Sequence, residues 1–367
     1  MKRLLCILSS LDAGGAETFL MKINRALPAG YRMDFVVSVG NGCYTEEVLA
    51  RGGRIHKIPE RTKDFSGAFR GLYRIVKENR YEAVLKLGEN PLAAADLLAA
   101  KLAGAKSIAL RSCNAPTGLS LSSKVLYGIL RPWQNRLANV KLAPSQLAAD
   151  FLFGEGQDVK LIHNGVDLKV FRFEEAKRKK IREDFDLTGK LVVGHVGRMV
   201  HQKNHRYLLE IFQAISEKRQ DAVLLLVGIG PLADQLRHEV RRLGLQDKVI
   251  FAGQRFDIPA MLSAMDVFVF PSFHEGMPNT VIEAQATGLP CVIADTITRE
   301  ADITGLVHYA SLEETPEAWA EKALALVSEQ RAATEEAFRN RGYDIAAVAR
   351  ELMELLFKGG RENACKQ

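Results

Sequence analysis

The feature that most constrains the fold is an alternation of short apolar segments with helical patterns, which runs through the chain twice. Short segments rich in β-branched and aliphatic residues predict strands, and longer segments with apolar residues every three or four positions predict helices. Regular alternation of the two is typical of a parallel sheet covered by helices on both faces. The sequence therefore predicts an α/β protein built from doubly wound units.

The predicted strands fall into two series, which indicates two Rossmann-like domains in tandem. The first series is Leu4–Ser10, Phe35–Val39, Ile55–Ile58, Ala83–Leu87 and Ile108–Leu110. The second is Leu191–Val196, Val223–Val227, Val249–Ala252, Val267–Phe270 and Cys291–Ala294, with helices expected near 204–218, 231–243 and 279–287. A chain of 367 residues is long enough for two cores. We predict domains at residues 1–165 and 166–342, and an amphipathic helix at 343–367 that packs back across the boundary.

Composition excludes several classes of protein. With 47% hydrophobic and 26% charged residues, the chain has the profile of a soluble globular protein. Its five cysteines form no C-x-x-C pair, which favours a reducing cytoplasm over a disulfide framework or a zinc site. The apolar stretch near the start, Leu4–Ser10, is too short for a signal peptide or a membrane span.

Charge is divided unevenly between the two halves. Residues 1–165 contain 23 Lys+Arg and 14 Asp+Glu, a net +9, whereas the remainder contains 27 and 30, a net −3. This division suggests that the first half meets an anionic partner, such as a phospholipid surface or a phosphorylated acceptor. The alternative is a solubilising surface without a partner, because the basic residues are scattered. No nucleic-acid partner is expected.

Ligands of open parallel sheets bind beyond the carboxyl ends of the strands, so the residues that follow each strand are candidates for the site. Gly14 and Gly15 follow the first strand and begin a helix, where uncovered backbone N–H groups can bind an anion or a sugar hydroxyl. The alternative is a tight turn that requires positive φ. The dinucleotide pattern G-x-G-x-x-G is absent.

The residues that follow two strands in the second half are of types that suit phosphate binding. Arg198 and Lys203 flank the loop after the strand at 191–196, and Asn204 is placed to cap the next helix. Two fixed cations beside a helix N terminus can bind a diphosphate, and a solvated surface loop is the alternative. Gly228 and Gly230, after the next strand, indicate a close turn near a ligand.

The most specific stretch is P-S-F-H-E-G-M-P-N-T-V-I-E, residues 271–283, which follows a buried strand. Glu275 lies in the loop and Glu283 near the start of the next helix, so both carboxylates face one cleft and can accept hydrogen bonds from vicinal hydroxyls. A simple helix N-terminal charge would explain Glu283 but not Glu275. Between them lie the turn and the first helical N–H groups, at Gly276, Met277, Pro278, Asn279 and Thr280.

No metal or cofactor is predicted. The D-x-D pattern at Asp184 and Asp186 lies in a charged stretch before a strand, which is typical of solvated surface. The histidines lack a ligand spacing such as H-E-x-x-H. They are His195, His201, His205 and His274.

These motifs, in this order, resemble the retaining glycosyltransferases of family four, which have the GT-B fold, especially bacterial capsular or exopolysaccharide enzymes. The resemblance rests on G-R at 197–198, K-N-H at 203–205, V-G-I-G-P at 227–231 and the stretch 271–290, and it covers the second half of the chain. The first half matches more loosely, through G-G-A-E at 14–17. The resemblance implies two Rossmann-like domains that face each other across a cleft, with the nucleotide sugar in the second and the acceptor in the first.

The resemblance also implies a role for each matched position. Arg198 and Lys203 would bind the donor diphosphate in place of a metal ion, Glu283 the ribose, and Glu275 the transferred sugar. Backbone N–H groups at 276–280 would support sugar and phosphate, and Arg255 would contact the base. Gly14 and Gly15 would approach the diphosphate or acceptor from the other domain. The donor is expected to be a UDP-sugar, without a cofactor.

One departure from the family concerns a histidine that many members carry after a late strand of the first domain. The sequences I-A-L-R-S-C-N-A-P at 108–116 and L-G-E-N-P at 87–91 contain none. Arg111 or Asn114 could instead donate a hydrogen bond to sugar or acceptor, with Cys113 at the same place. Arg111 as an ordinary surface charge is the alternative.

A predicted helix at 121–138 bears on the acceptor. Its aromatic, aliphatic and basic residues suit a helix resting on a membrane face, in which case the acceptor is a lipid-linked oligosaccharide at the cytoplasmic leaflet. A core-packing face is the alternative. The aromatic, aliphatic and basic residues of this helix are Tyr127, Ile129, Leu130, Arg131, Trp133 and Arg136.

The main hypothesis is a hexosyltransferase acting on a growing glycan. Its rivals are a nucleotide-sugar epimerase of the same fold and an inactive nucleotide-binding module.

Overall fold

A computed structural model of the chain describes residues 1–12, 14–40, 42–88, 93–113, 121–328 and 330–362. The chain divides into two compact units. Unit 1 comprises Met1–Gly165 with Gly342–Gln367, and unit 2 comprises Val166–Arg341.

The described strands of unit 1 form one parallel sheet with the order β3-β2-β1-β4-β5-β6-β7. Its strands are β1 (Lys2–Ile7), β2 (Tyr31–Val37), β3 (Ile55–Lys57), β4 (Ala83–Gly88), β5 (Ser107–Ser112), β6 (Val140–Ala143) and β7 (Lys160–Leu161). The sequence predicted the first five of these. It missed β6 and β7 because each is short and contains a lysine, so neither has the apolar run that marks a buried strand.

The C-terminal helix of unit 1 completes the core on one face of its sheet. Ile345, Val348, Leu352 and Leu356 recur at helical spacing and are buried in one cluster with side chains such as Leu4. This spacing explains why a segment distant in sequence belongs to unit 1. The helices of unit 1 are α1 (Gly15–Arg25), α2 (Thr45–Ala50), α3 (Phe65–Glu78), α4 (Ala93–Leu102), α5 (Leu121–Leu137), α6 (Gln146–Phe153) and α14 (Ile345–Glu362).

Unit 2 contains a second parallel sheet, with the order β10-β9-β8-β11-β12-β13. Its strands are β8 (Leu191–Val196), β9 (Ala222–Val227), β10 (Val249–Gly253), β11 (Val267–Phe270), β12 (Cys291–Ala294) and β13 (Val307–Ala310). Its helices are α7 (Glu175–Asp184), α8 (His205–Lys218), α9 (Ala233–Arg242), α10 (Ile258–Ala264), α11 (Asn279–Ala286), α12 (Pro316–Ala325) and α13 (Glu335–Asn340), with 3₁₀ turns at His201–Lys203 and Arg299–Ala301.

Strand order reverses direction once in each sheet, between β1 and β4 in unit 1 and between β8 and β11 in unit 2. Chain connections leave such a switch point in opposite directions, and the crevice between them is where doubly wound sheets bind ligands. The predicted fold class, α/β with two doubly wound Rossmann-like sheets, is confirmed. Within the described residues, no helix has both the length and the apolar character needed to span a membrane.

Candidate active site

The switch point of unit 2 brings together two motifs that lie far apart in sequence. The loop after β8 is bonded to the loop after β11, because the Phe273 N–H donates to the Gln202 carbonyl at 3.0 Å. The Gln202 side chain also donates from Nε2 to the His274 carbonyl at 2.8 Å. The 198–204 loop and the 271–283 stretch therefore form one edge of the sheet.

An ion pair joins the two loops. Lys203 Nζ donates to Glu275 Oε1 at 2.7 Å, and the two side chains are only 16% and 11% exposed. The ammonium also lies 4.6 Å from the ring centroid of Phe270, at the end of β11. Gln202 Nε2 approaches the same carboxylate oxygen at 3.3 Å. A cation and a carboxylate are thus held side by side at the edge where ligands of such sheets bind.

The loop that carries Lys203 has an unusual backbone. Asn204 has a left-handed conformation, with φ of 52°, between the 3₁₀ turn and α8. Its side chain makes no capping hydrogen bond, so the prediction that Asn204 caps α8 is correct in position but wrong in chemistry. Arg198 is exposed at the start of the same loop, directly after β8.

Helix α11 begins beside the ion pair. Its N-cap residue, Pro278, makes no side-chain capping hydrogen bond, and Asn279 and Thr280 are half-buried in its first turn. Uncapped N–H groups at a helix N terminus favour a negatively charged ligand. Met277 is buried beneath the loop and Gly276 precedes it.

Glu283 lies farther along α11 than the sequence suggested. It is the fifth residue of the helix and is 8% exposed, and the first turn contains no acidic residue. Because the influence of the helix dipole falls off beyond the first turn, the alternative of an N-terminal helix charge is wrong.

Gly228 and Gly230 are explained by packing between neighbouring loops. A Cβ on Gly228, which has φ of 138°, would lie 2.1 Å from the Gly197 carbonyl oxygen. A Cβ on Gly230 would lie 2.4 Å from the carbonyl oxygen of Met199. These glycines let the loop after β9 approach the loop that contains Arg198, and their proximity to a ligand stays a prediction.

Arg255, predicted to contact a base, is held by its own loop after β10. Its guanidinium donates to both carboxylate oxygens of Asp257, at 2.8 and 2.6 Å, and lies 5.6 Å from the ring centroid of Phe185. The side chain remains partly exposed. Its contact with a base stays a prediction.

Beneath the Lys203 loop lies a pair of buried imidazoles that the sequence did not single out as functional. His195 in β8 and His205 at the start of α8 meet edge to face, with ring centroids 4.7 Å apart. His195 Nδ1 donates to the Val269 carbonyl at 2.9 Å, so its Nε2 carries the lone pair in the neutral ring. Within the described chain, this Nε2 and both His205 nitrogens lack a hydrogen-bond partner.

Burial and a neighbouring cation keep these imidazoles neutral. Loss of solvation, followed by repulsion from Lys203, lowers the pKa of His205 to about 4. Loss of solvation also lowers the pKa of His195 well below its usual value, with smaller contributions from His205 and Lys203. At neutral pH the two imidazoles beneath the Lys203 loop are therefore uncharged.

In unit 1, Gly14 and Gly15 lie where β1 leads into α1. Neither has a positive φ, so the alternative of a left-handed turn is wrong. A Cβ on Gly14 would lie 2.2 Å from Glu17 Oε2, whereas Gly15 faces open space. Gly14 thus leaves room for the Glu17 carboxylate, and the predicted phosphate or acceptor contact stays a prediction.

Arg111 is buried within β5, so the alternative of a surface charge is wrong. Its guanidinium donates to the Ile162 carbonyl and to Asn164 Oδ1, and stacks 3.6 Å from the ring centroid of Phe19. Burial lowers the pKa of Arg111 to about 10. These contacts hold Arg111 within unit 1, and its hydrogen bond to sugar or acceptor stays a prediction. Asn114, the alternative donor, lies outside the described residues.

Among the described residues, no cluster of three His, Cys, Asp or Glu side chains is arranged to hold a metal ion.

Comparison with known proteins identifies related sequences. Residues 190–329 match the family model described as Glycosyl transferases group 1. The putative glycosyltransferase EpsF of Bacillus subtilis is 33% identical over 365 residues, covering 94% of this chain and 93% of that protein. The UDP-Gal:alpha-D-GlcNAc-diphosphoundecaprenol alpha-1,3-galactosyltransferase of Escherichia coli is 30% identical over 234 residues, covering 61% of this chain and 60% of that protein.

Solved structures share the fold at low sequence identity. A glycosyltransferase from Rickettsia africae has a TM-score of 0.79 and 19% identity, with 97% of this chain and 98% of that chain covered. Anabaena HepE in complex with UDP-glucose has a TM-score of 0.72 and 19% identity over the full length of both chains. The two parallel sheets and these likenesses show the GT-B fold. Because identity to EpsF extends over nearly the whole of both chains, this protein belongs to the group 1 glycosyltransferases.

Proposed function

We propose that this glycosyltransferase moves a hexose from a UDP-sugar to a growing glycan, with retention of the anomeric configuration. The observation that carries the proposal is the Lys203–Glu275 ion pair, which lies beside the N terminus of α11 at the switch point of unit 2. A cation and helical N–H groups suit a diphosphate, and a neighbouring carboxylate suits sugar hydroxyls.

Each donor group has a proposed partner in unit 2. Arg198 and Lys203 bind the diphosphate, and the N–H groups at 276–280 support sugar and phosphate. Glu275 accepts hydrogen bonds from hydroxyls of the transferred sugar, and Glu283 accepts them from the ribose. Arg255 contacts the base.

The proposed chemistry depends on where charge develops as the donor bond breaks. As the bond between the anomeric carbon and the diphosphate oxygen breaks, negative charge grows on the diphosphate, and fixed cations beside it lower the barrier. The acceptor hydroxyl attacks from the face that the diphosphate leaves, and its proton passes to a diphosphate oxygen. Neither a dedicated base nor a metal ion is required by this route.

The names of similar proteins support the choice of donor and acceptor. HepE was crystallised with UDP-glucose, and the Escherichia coli relative is named for a UDP-Gal donor and a diphosphoundecaprenol-linked acceptor. We propose that unit 1 binds the acceptor, and that the acceptor is lipid-linked at the cytoplasmic face of a membrane. Exposure of Ile129 and Trp133 on α5, at 61% and 64%, supports membrane contact and contradicts the core-packing alternative for these two side chains.

The proposal is tested by incubating the full chain with a panel of nucleotide sugars and a glycolipid extract. We expect a new glycoside and free UDP, and NMR of the product should show the anomeric configuration of the donor. An epimerised sugar nucleotide without a glycoside would favour an epimerase, and UDP binding without any turnover would favour an inactive binding module. Inversion of configuration would overturn the retaining mechanism.

A further inference from the structure

Strands β8 and β11, whose following loops carry the ion pair, are paired with each other over only part of their length. Their direct pairing ends at Gly194 and Phe268. Strand β8 stays paired with β9 as far as Val196, and β11 stays paired with β12 as far as Phe270. Within these strands, all of whose residues are described, the backbone ladder therefore does not by itself set the spacing of the two loops at the switch point.

A side chain of β8 bridges the two strands beyond their last pair. His195 Nδ1 donates to the carbonyl of Val269, which follows Phe268 on β11, at 2.9 Å. The imidazole also stacks on two rings of β11, with centroids 6.0 Å from that of Phe268 and 5.2 Å from that of Phe270. His195 is fully buried, and a hydrogen bond in a dry interior is stronger than one in water. The imidazole thus holds β8 and β11 together where their backbones no longer pair.

The imidazole and the stem of Lys203 border the same small space. A Cβ placed on Gly197 would lie 3.0 Å from His195 Nε2 and 3.5 Å from Lys203 Cε. Both side chains also contact the ring of Phe270, because His195 stacks on it and the Lys203 ammonium lies 4.6 Å from its centroid. Displacement of the imidazole would therefore disturb the surface on which Lys203 rests.

One hydrogen bond anchors this imidazole. Among the described residues, His195 Nε2 has no hydrogen-bond partner. His205 contacts the ring edge to face, with centroids 4.7 Å apart. Without the Nδ1 donor, packing alone would hold the ring in place, so the bond to the Val269 carbonyl is the contact to test.

We propose that His195 is a positioning residue for the donor reaction. By bridging β8 and β11 and supporting the stem of Lys203, it fixes the place of the ammonium relative to Glu275 and to the leaving diphosphate. Catalysis depends on such placement, since a displacement of about 1 Å can cost about 100-fold in rate. This inference rests on the proposed function, because it takes Lys203 as a ligand of the diphosphate.

Two substitutions separate the hydrogen bond from the ring. His195→Phe keeps a ring against Phe268 and Phe270 but removes the donor to Val269, whereas His195→Asn keeps an N–H donor at the same number of bonds from the main chain and removes the ring. With UDP-sugar and acceptor, we expect kcat of His195→Phe to fall at least about tenfold and KM to change less than about threefold, because the loss concerns the transition state. His195→Asn should keep a larger share of kcat than His195→Phe.

Trp319→Phe is the matched control for lost stability. Trp319 in α12 is fully buried and donates its ring N–H to the Ser311 carbonyl at 2.7 Å, so this change also removes one ring donor to a backbone carbonyl. Its free energy of unfolding should fall while its kcat stays within about twofold of wild type. A kcat for His195→Phe within that same range would overturn the proposal, and so would a kcat for His195→Asn no higher than that of His195→Phe.

A measurement without donor keeps this inference separate from the proposed function. In a double-mutant cycle of unfolding free energies, Lys203→Met and Glu275→Gln report the coupling of the ion pair, and His195→Phe should reduce that coupling by at least about half. Unchanged coupling would contradict positioning by His195 even in a protein that transfers sugar. Reduced coupling in a protein that transfers no sugar would support the placement of Lys203 by His195 and refute the proposed function.

The wild-type imidazole can also be tested without replacing it. In histidine side-chain NMR spectra of the full chain, Lys203→Ala should shift the Nε2 resonance of His195, because the lysine stem borders the same space. The resonances of His163 in unit 1 should stay unchanged. An unchanged His195 resonance would overturn the contact with Lys203, and this result holds even if His195→Phe fails to fold.

Discussion

Replacing Lys203 with Met tests whether its ammonium binds the leaving diphosphate or only pairs with Glu275. Methionine keeps an unbranched stem over the Phe270 ring and removes the charge that contacts Glu275 at 2.7 Å. A hydrogen bond to a charged group contributes about 1.5–3 kcal/mol, and each 1.36 kcal/mol is tenfold in rate. We therefore expect kcat/KM for the UDP-sugar to fall by about 10- to 150-fold.

Stability should respond differently from activity. The substitution leaves the Glu275 carboxylate mostly buried with the 3.3 Å hydrogen bond from Gln202, so the free energy of unfolding should fall by about 1–3 kcal/mol. Glu275→Gln should destabilise the protein for the reciprocal reason. The double variant removes both charges, so its stability should exceed the sum of the single effects by about 0.5–3 kcal/mol. Its activity should not recover if, as we propose, each side chain makes its own contact with the donor.

The assay measures initial rates of UDP release with acceptor present, alongside chemical unfolding of the same four proteins. Lys218→Met is the matched control, since this lysine pairs with Glu321 on an exposed surface. A kcat/KM for Lys203→Met within about twofold of wild type would contradict a role of this ammonium in binding the diphosphate. Recovery of activity together with stability in the double variant would also contradict it, and would mean that the pair is structural only.

Three further results are expected. Because burial lowers the pKa of His205 to about 4, the unfolded state binds a proton that the folded state does not, and the contribution of His205 to stability should fall by about 2 kcal/mol from pH 8 to pH 5. His205→Gln should reduce this loss, whereas His238→Gln, at an exposed histidine, should not. Equal slopes of unfolding free energy against pH in the two variants would contradict the assignment of this loss to His205. Gly228→Ala should destabilise the protein and weaken UDP binding, because the new Cβ would meet the Gly197 carbonyl. Gly189→Ala is the control: Gly189 has a positive φ but open space around it, so the free energy of unfolding should fall by only about 1–2 kcal/mol. Equal losses of stability in the two variants would contradict this packing. EDTA should leave turnover unchanged, and strict metal dependence would count against the cation mechanism.

The sequence predicted those parts of the fold in which an apolar run is short and unbroken. Val267–Phe270 and Cys291–Ala294 match strands β11 and β12 at both ends. Strand β13 was missed because His308 and Tyr309 interrupt its apolar character. An apolar run identifies a fully buried strand well and an edge strand such as β13 poorly, because the side chains of β13 are less completely buried.

The candidate site was predicted in its members but not in its contacts. Lys203 and Glu275 were both named, yet their direct pairing depends on how the loops after β8 and β11 meet, which spacing along the chain does not encode. His195 and His205 were rejected as metal ligands, and their pairing depends on the same three-dimensional neighbourhood. The one available signal was a histidine inside an otherwise apolar strand.

The central claim is that unit 2 binds the nucleotide, and amide hydrogen exchange of the full chain with and without UDP tests it most directly. UDP should slow exchange in the 198–205 loop and at the N terminus of α11, because we propose that these amides contact or flank the diphosphate. Lys203→Met should weaken this protection and Lys218→Met should not. Protection confined to unit 1, or unchanged exchange in both unit 2 segments at saturating UDP, would contradict the account.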